Sequence, residues 1–282
     1  MNKSGDTDKS FFRIRTKTME DKHKNIIVSE IKNFSGKDFL KTKKIILNRP
    51  DKRNSLDDVM IRELTEAIND FSEDTETRSI VITGAGGNFC SGLYLDYLHK
   101  ISEFDVLQNK KDSQNYKNLL LAIYNCRKPV IAMVDGYALA GGCGIASACD
   151  IIVASDKAQF GYTEVKIGFI PAIVMVFLLK RVSETHAKDL LLTSKFITGT
   201  EAHRIGFVNY VVEQYMLESY TEKLCESLNS LPASSISLTK EMFKNVSSMS
   251  FESALDYAVD MNTITRMSED CKNGIRKFLT KK

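Results

Sequence analysis

Two stretches of this chain follow one plan: an apolar, β-branched run, a glycine-rich loop, and then residues at helical spacing. The first is SIVITGAGGNFCSGLYLDYL (79–98) and the second is PVIAMVDGYALAGGCGIASA (129–148). In each, the glycines let the backbone turn sharply, and the loop delivers unpaired N–H groups at the start of a helix. If the two loops converge, they form a pocket with two N–H donors aimed at one oxygen.

The rest of the chain obeys the same α/β grammar. IIVSEI (26–31) and KKIIL (43–47) read as strands, joined by a polar, glycine-containing connection around Asn33 to Lys37. Arg49-Pro50 breaks the second strand, and Ser55 or Asp57 can cap a helix whose Met60, Leu64, Ile68 and Phe71 form a core-facing stripe. IIVAS (151–155) reads as a strand, and the all-round apolar run Ala172 to Leu179 reads as a buried helix. From Glu184 the pattern is mostly helical, with a brief β-like VNYVV (208–212) and helices over 214–230, 233–246 and 250–271. The expected organisation is a mobile extension over 1–24, an α/β core over 25–213 and a helical region over 214–282.

Composition narrows the function. Thirty-nine basic against 36 acidic side chains give a net charge of only +3, without the basic stripe of a nucleic-acid binder, so no nucleic-acid partner is expected. The longest uncharged apolar run, Ile167 to Leu179, contains Pro171 and falls well short of the roughly 20 residues that span a bilayer, so no membrane partner is expected either. The first 24 residues have no apolar h-region and carry Asp6, Asp8, Glu20 and Asp21, which argues against secretory and transit signals. The six cysteines form no C-x-x-C pair or zinc spacing, and the four histidines lie far apart, so no metal is expected and a reducing compartment fits. The cytoplasm is the expected location, or the mitochondrial matrix in a eukaryote.

Spacing disposes of the common glycine motifs. GAGGNF (84–89) has Phe89 where a dinucleotide turn needs glycine, no G-K-[ST] follows for a phosphate loop, and Phe89 also replaces the first glycine of a G-x-S-x-G elbow around Ser91. Cys90 reads as a small buried residue rather than a nucleophile. What remains is the loop pair and one carboxylate. Glu164 follows Gly161-Tyr162-Thr163 and precedes an apolar run, a setting that can desolvate a carboxylate and raise its pKa.

With these segments in hand, the sequence resembles the crotonase (enoyl-CoA hydratase/isomerase) superfamily from about Lys43 to Lys282. LNRPDKRNSL (47–56) is similar to the loop bordering the coenzyme A site, NFCSGLYL (88–95) to the first oxyanion loop and GYALAGGCGIASACDIIVAS (136–155) to the second. AQFGYTEVKIGFIPA (158–172) resembles the catalytic-carboxylate segment and SEDCKNGIRKFL (268–279) the closing helix. Within the superfamily, GGCGIA and FGYTEVKIGFIPA are most similar to bacterial methylglutaconyl-CoA-type hydratases. The resemblance implies a spiral of ββα units with C-terminal helices that trimerise, often as a dimer of trimers. It implies an acyl-CoA thioester as substrate and no separate cofactor, because coenzyme A arrives as part of that substrate.

Residue by residue, the resemblance puts the thioester carbonyl between the N–H groups of Leu93 and Gly141, with Gly92 and Gly142 shaping the loops beside the substrate. Glu164 becomes the acid/base. The resemblance implies that Lys52, Arg53 and Ser55, with Phe278 near the adenine end, border the coenzyme A moiety; Lys52, Arg53, Lys277, Lys281 and Lys282 can equally meet its phosphates or be ordinary solvated side chains. The acyl pocket is expected to use part of 95–124 and of 173–177.

Two positions depart from the pattern. Hydratases of the family usually carry a second glutamate where this chain has Gly144, and an aspartate where it has Tyr94. One carboxylate suits a 3-enoyl to 2-enoyl-CoA isomerase, which shuttles a proton without activating water, whereas the closer resemblance is to hydratases that also show glycine there. The leading expectation is reversible hydration of a 2-enoyl-CoA and the alternative is the isomerase. A non-catalytic acyl-CoA or RNA-binding scaffold is the reading from another class.

Overall fold

A computed structural model describes residues 23–31 and 41–280. The expected extension over 1–24, apart from its last two residues, lies outside the described residues, as do the connection at 33–37 and Lys281 and Lys282.

The strands are β1 (Ile26–Ile31), β2 (Lys41–Leu47), β3 (Thr77–Gly84), β4 (Val130–Val134), β5 (Tyr137–Leu139), β6 (Ile151–Ser155), β7 (Gln159–Gly161), β8 (Phe196–Thr198) and β9 (Tyr210–Val212). The helices are α1 (Asp58–Glu73), α2 (Leu95–Ser102), α3 (Val106–Asn125), α4 (Gly141–Ala148), α5 (Ala172–Leu178) and α6 (Glu184–Thr193). They are followed by α7 (Gly199–Arg204), α8 (Leu217–Asn229), α9 (Ala233–Val246), α10 (Phe251–Met267) and α11 (Glu269–Thr280). One sheet runs β1-β2-β3-β4-β6-β9, parallel except for the β1–β2 hairpin. A small second sheet runs β5-β7-β8.

The central strands are apolar on both faces because both faces are covered. Ile80 and Ile82 on β3, Val130, Ala132 and Val134 on β4, and Ile152 and Ala154 on β6 join the main core with α1, α3 and α4. Their alternates Val81, Ile131, Met133 and Val153 form a second cluster with Leu217 and Cys225 of α8. This is the period-two alternation of a strand, with each set buried under a different layer.

Helix α1 starts at Asp57, whose carboxylate accepts from the N–H of Met60, and its expected stripe of Met60, Leu64, Ile68 and Phe71 is buried. Helix α5 corrects an expectation. Only Val174, Phe177 and Leu178 are buried, while Met175, Val176 and Leu179 are exposed. In the single chain α5 packs one face on α4 and leaves the other open. The last expected helix is two, broken at Ser268, where α11 folds back onto α9 and α10. No described helix is long and apolar enough to cross a membrane.

Candidate active site

The two glycine loops converge, and the backbone shows how. The N–H of Cys90 donates to Tyr137 O at 2.9 Å and the N–H of Leu139 to Cys90 O at 2.8 Å, which stitches the first loop to the edge of the small sheet. On the other side, the N–H of Leu56 donates to Gly92 O at 2.7 Å and the N–H of Tyr94 to Leu56 O at 2.9 Å, pairing the 47–56 loop with the first glycine loop. Gly92, with φ of 86°, turns between these two attachments and lies so close to the second loop that a β-carbon would sit 3.1 Å from Ala140 Cβ. Leu93 is left with its N–H turned away from both partners; among the described residues that N–H donates to nothing.

The second donor stands at the start of α4. Ala140 takes a left-handed φ of 48° and donates its own N–H to Gly161 O at 2.8 Å. Gly141, next in line, is the first residue of the helix, so its N–H has no carbonyl one turn back. Helix α4 is otherwise buried, and its far end is held by Arg181, whose guanidinium donates to Ser147 O at 2.7 Å and also to Cys149 O. A cation at the C-terminus and free N–H groups at the N-terminus both align with the helix dipole.

Strand register brings the carboxylate to the same end. Leu139 on β5 pairs with Gly161 on β7. Gly141 therefore lies two residues beyond one partner and Glu164 three residues beyond the other. Glu164 opens a short 3₁₀ turn (Glu164–Ile167) closed by Gly168 at φ of 80°. Burial pushes its carboxyl above the ordinary range, and its Oε2 is shielded from solvent with no hydrogen-bond partner among the described residues. A desolvated carboxylate with one oxygen free of partners among the described residues, at the same end of the small sheet as two free N–H donors, is suited to moving protons next to a carbonyl that those donors polarise.

Gly144 has no side chain because α3 and α5 close over it. A β-carbon there would sit 2.1 Å from the hydroxyl of Tyr116 and 2.7 Å from Val174 Cγ1. Gly142 is buried against the first loop, where a β-carbon would lie 2.3 Å from Cys90 O. Cys90 is fully buried and its thiol is pushed up to about 12 by desolvation, which suits packing rather than nucleophilic attack. Tyr94 lies under two cations, Lys52 Nζ at 4.2 Å and Arg49 Cζ at 4.9 Å from its ring centre. Arg53 sits over Tyr137 at 5.6 Å. Ser55 is buried, its hydroxyl without a partner among the described residues, and Phe278 is exposed on α11. Thus Leu93, Gly141 and Glu164 share one place with Gly92, Gly142 and Gly144 around them, and Lys52 and Arg53 rim it.

Three residues that shape the site escaped the sequence reading. Asn54, at a left-handed φ of 55°, donates to Ala85 O and Asn88 O at 2.8 and 2.7 Å and accepts from the N–H of Arg49, locking the 47–56 loop onto the turn after β3. Arg181 carried no motif. Tyr116 had one faint signal: it shares helical spacing with buried Leu119, Leu120 and Ile123 within an otherwise polar stretch. No group of side chains that could hold a metal is found among the described residues.

Residues 42–282 match the family described as Enoyl-CoA hydratase/isomerase. A putative enoyl-CoA hydratase of Thermus thermophilus is 37% identical over 84% of this chain and 94% of its own length. A short-chain-enoyl-CoA hydratase of Clostridium acetobutylicum is 30% identical over 84% and 91%. Among solved structures, an enoyl-CoA hydratase of Mycobacterium smegmatis superposes with a TM-score of 0.83 at 27% identity, covering 90% of this chain and 96% of that one.

Proposed function

The chain belongs to the enoyl-CoA hydratase/isomerase (crotonase) family, and from that premise we propose that it adds water reversibly to a 2-enoyl-CoA, with Glu164 as the only carboxylate that moves protons. The observation that carries this reading is the convergence of two free backbone donors, Leu93 and Gly141, on the end of the small sheet where the desolvated Glu164 stands.

In this reading the thioester oxygen accepts from both N–H groups. Glu164 takes a proton from a water as the water oxygen bonds to C3; the C2–C3 π pair becomes the C1–C2 bond of an enolate and the carbonyl π pair moves onto the thioester oxygen. The donors are aimed at that developing charge, and one such donor is typically worth about 3–4 kcal/mol of barrier. Protonated Glu164 then returns the proton to C2, so the net change is one added water. Lys52 and Arg53 at the rim can meet coenzyme A phosphates. The likeness of GGCGIA and FGYTEVKIGFIPA to methylglutaconyl-type hydratases supports a branched acyl chain.

One observation favours a second reading, the 3-enoyl to 2-enoyl-CoA isomerase. Gly144 leaves the site with a single carboxylate, enough for a proton shuttle between carbons. The deciding experiment is mass spectrometry of acyl-CoAs after the purified protein meets a panel of 2-enoyl-CoAs, a methylglutaconyl thioester included, and a 3-enoyl-CoA. A gain of one water, absent with Glu164→Gln, supports the hydratase; isomerisation at unchanged mass without hydration overturns it.

Assembly into trimers belongs to the same proposal. Leu255, Val259 and Ile264 of α10 and Phe278 of α11 are exposed apolar side chains, a pattern that suits helices covered by other copies. Light scattering of the purified protein reads the assembly directly.

A further inference from the structure

A site that adds water with one carboxylate must still hold the water in line with the double bond, and the structure places the hydroxyl of Tyr116 beside Gly141 and Gly144, where it can take on that task. Tyr116 comes from α3 and reaches over the start of α4. Its hydroxyl donates to Gly141 O at 2.7 Å, so it is anchored to the same residue whose N–H is free for the thioester. The hydroxyl lies 2.1 Å from where a β-carbon of Gly144 would be, and 3.3 Å from where one of Gly141 would be. It therefore occupies the volume into which any side chain at 144 would project.

The chemistry of that hydroxyl is constrained. A phenol has one proton, and here it is committed to Gly141 O. What the oxygen can still offer is its lone pairs, so it acts as an acceptor, as a carboxylate would. It cannot replace a carboxylate as a base. Burial, and then nearby charges that include Glu164, hold the phenol protonated well above its ordinary range. The two groups thus divide the work that two carboxylates could share: Glu164 takes and returns the proton, and Tyr116 only orients.

We propose that Tyr116 is a water-positioning residue, whose hydroxyl, anchored on Gly141 O, accepts a hydrogen bond from the water that Glu164 deprotonates. One proton of that water goes to Glu164, the other stays on the oxygen that bonds to C3 and points at Tyr116, and the tyrosine itself neither gains nor loses a proton. The assignment rests on the hydratase reading above. It also explains how a site with glycine at 144 can hydrate, since the missing side chain is what leaves room for the phenol.

The test compares the wild type, Tyr116→Phe and Glu164→Gln in two assays. One is hydration of the best 2-enoyl-CoA of the panel. The other is exchange of the α-protons of the corresponding saturated acyl-CoA with D2O, which needs the donors and Glu164 but no attacking water. Tyr116→Phe keeps the ring and is expected to lower kcat for hydration roughly 10- to 100-fold, the cost of leaving one donor of the attacking water unpaired in a desolvated site. Its KM and its exchange rate should stay within about threefold of wild type. Glu164→Gln should lose both activities.

Should Tyr116→Phe fail to fold, Gly144→Ala tests the same point, since its methyl cannot coexist with the hydroxyl at 2.1 Å. Hydration left intact by a folded variant overturns the assignment, as does exchange that falls in step with hydration, which would mean that the tyrosine serves only the packing of α4. A wild type that hydrates nothing on the panel overturns the hydratase reading itself, and the two failures are told apart by which protein fails.

Discussion

The carbonyl oxygen of Cys90 faces Gly142 so closely that a β-carbon on the glycine would lie 2.3 Å away. The two glycine loops touch backbone to backbone at this point, and the contact sets how near the N–H groups of Leu93 and Gly141 can come. Because the obstructing atom is main chain, it cannot swing aside. Gly142→Ala is expected to cost about 1–3 kcal/mol of stability by overpacking, read from urea unfolding. It should also lower kcat by roughly 100-fold or more as the donors separate.

The pH profile of hydration follows from Glu164. Its carboxyl is raised by desolvation, and in the proposed reaction the base form takes a proton from water. Activity should therefore rise with pH through a pKa above the ordinary carboxylate range. The acidic limb of log kcat/KM against pH locates that value, and a limb at the ordinary glutamate value would count against Glu164 as the base. Glu164→Gln should flatten the limb and reduce the rate by about 10²- to 10⁴-fold.

The same shift makes a statement about stability. A carboxyl whose folded pKa is raised favours the folded state below its unfolded pKa, and that contribution is lost as pH rises through the folded value. Near neutrality the wild type therefore carries a desolvated charge that Glu164→Gln does not. The variant should melt at a higher temperature than wild type at pH 7, with the gap closing as pH falls below the ordinary carboxylate range. Equal melting temperatures at pH 7 would contradict this.

Arg181 gives a test far from the substrate. Its half-buried guanidinium caps α4 at Ser147 O and Cys149 O, at the opposite end from the free N–H of Gly141. Arg181→Met keeps much of the volume and leaves those carbonyls unsatisfied. A loss of about 2–3 kcal/mol is expected by chemical denaturation, the usual scale for hydrogen bonds to a charged group. Because the carbonyls, not the reacting atoms, lose their partner, KM should change little.

Much of this molecule was decided locally, and local properties can be read from a sequence. The alternation in SIVIT and PVIAMV already assigns Ile80 and Val81 to opposite faces, because successive side chains on a strand must diverge. The stripe from Met60 to Phe71 is likewise a constraint of period, while the glycines at 92, 141 and 142 and Glu164 are candidate site residues that the family resemblance, rather than periodicity, picks out. What the sequence could not decide is what meets across the gaps between elements. Tyr116 meets Gly144, Arg181 meets the end of α4, and Asn54 meets the turn after β3, over separations of about 30 residues each. Whether a space between two helices is filled by a glutamate on one or a tyrosine on the other depends on how they pack, which only the tertiary structure determines. The open face of α5 shows the same limit from the other side, since an apolar run says that a surface wants cover but not which layer will provide it.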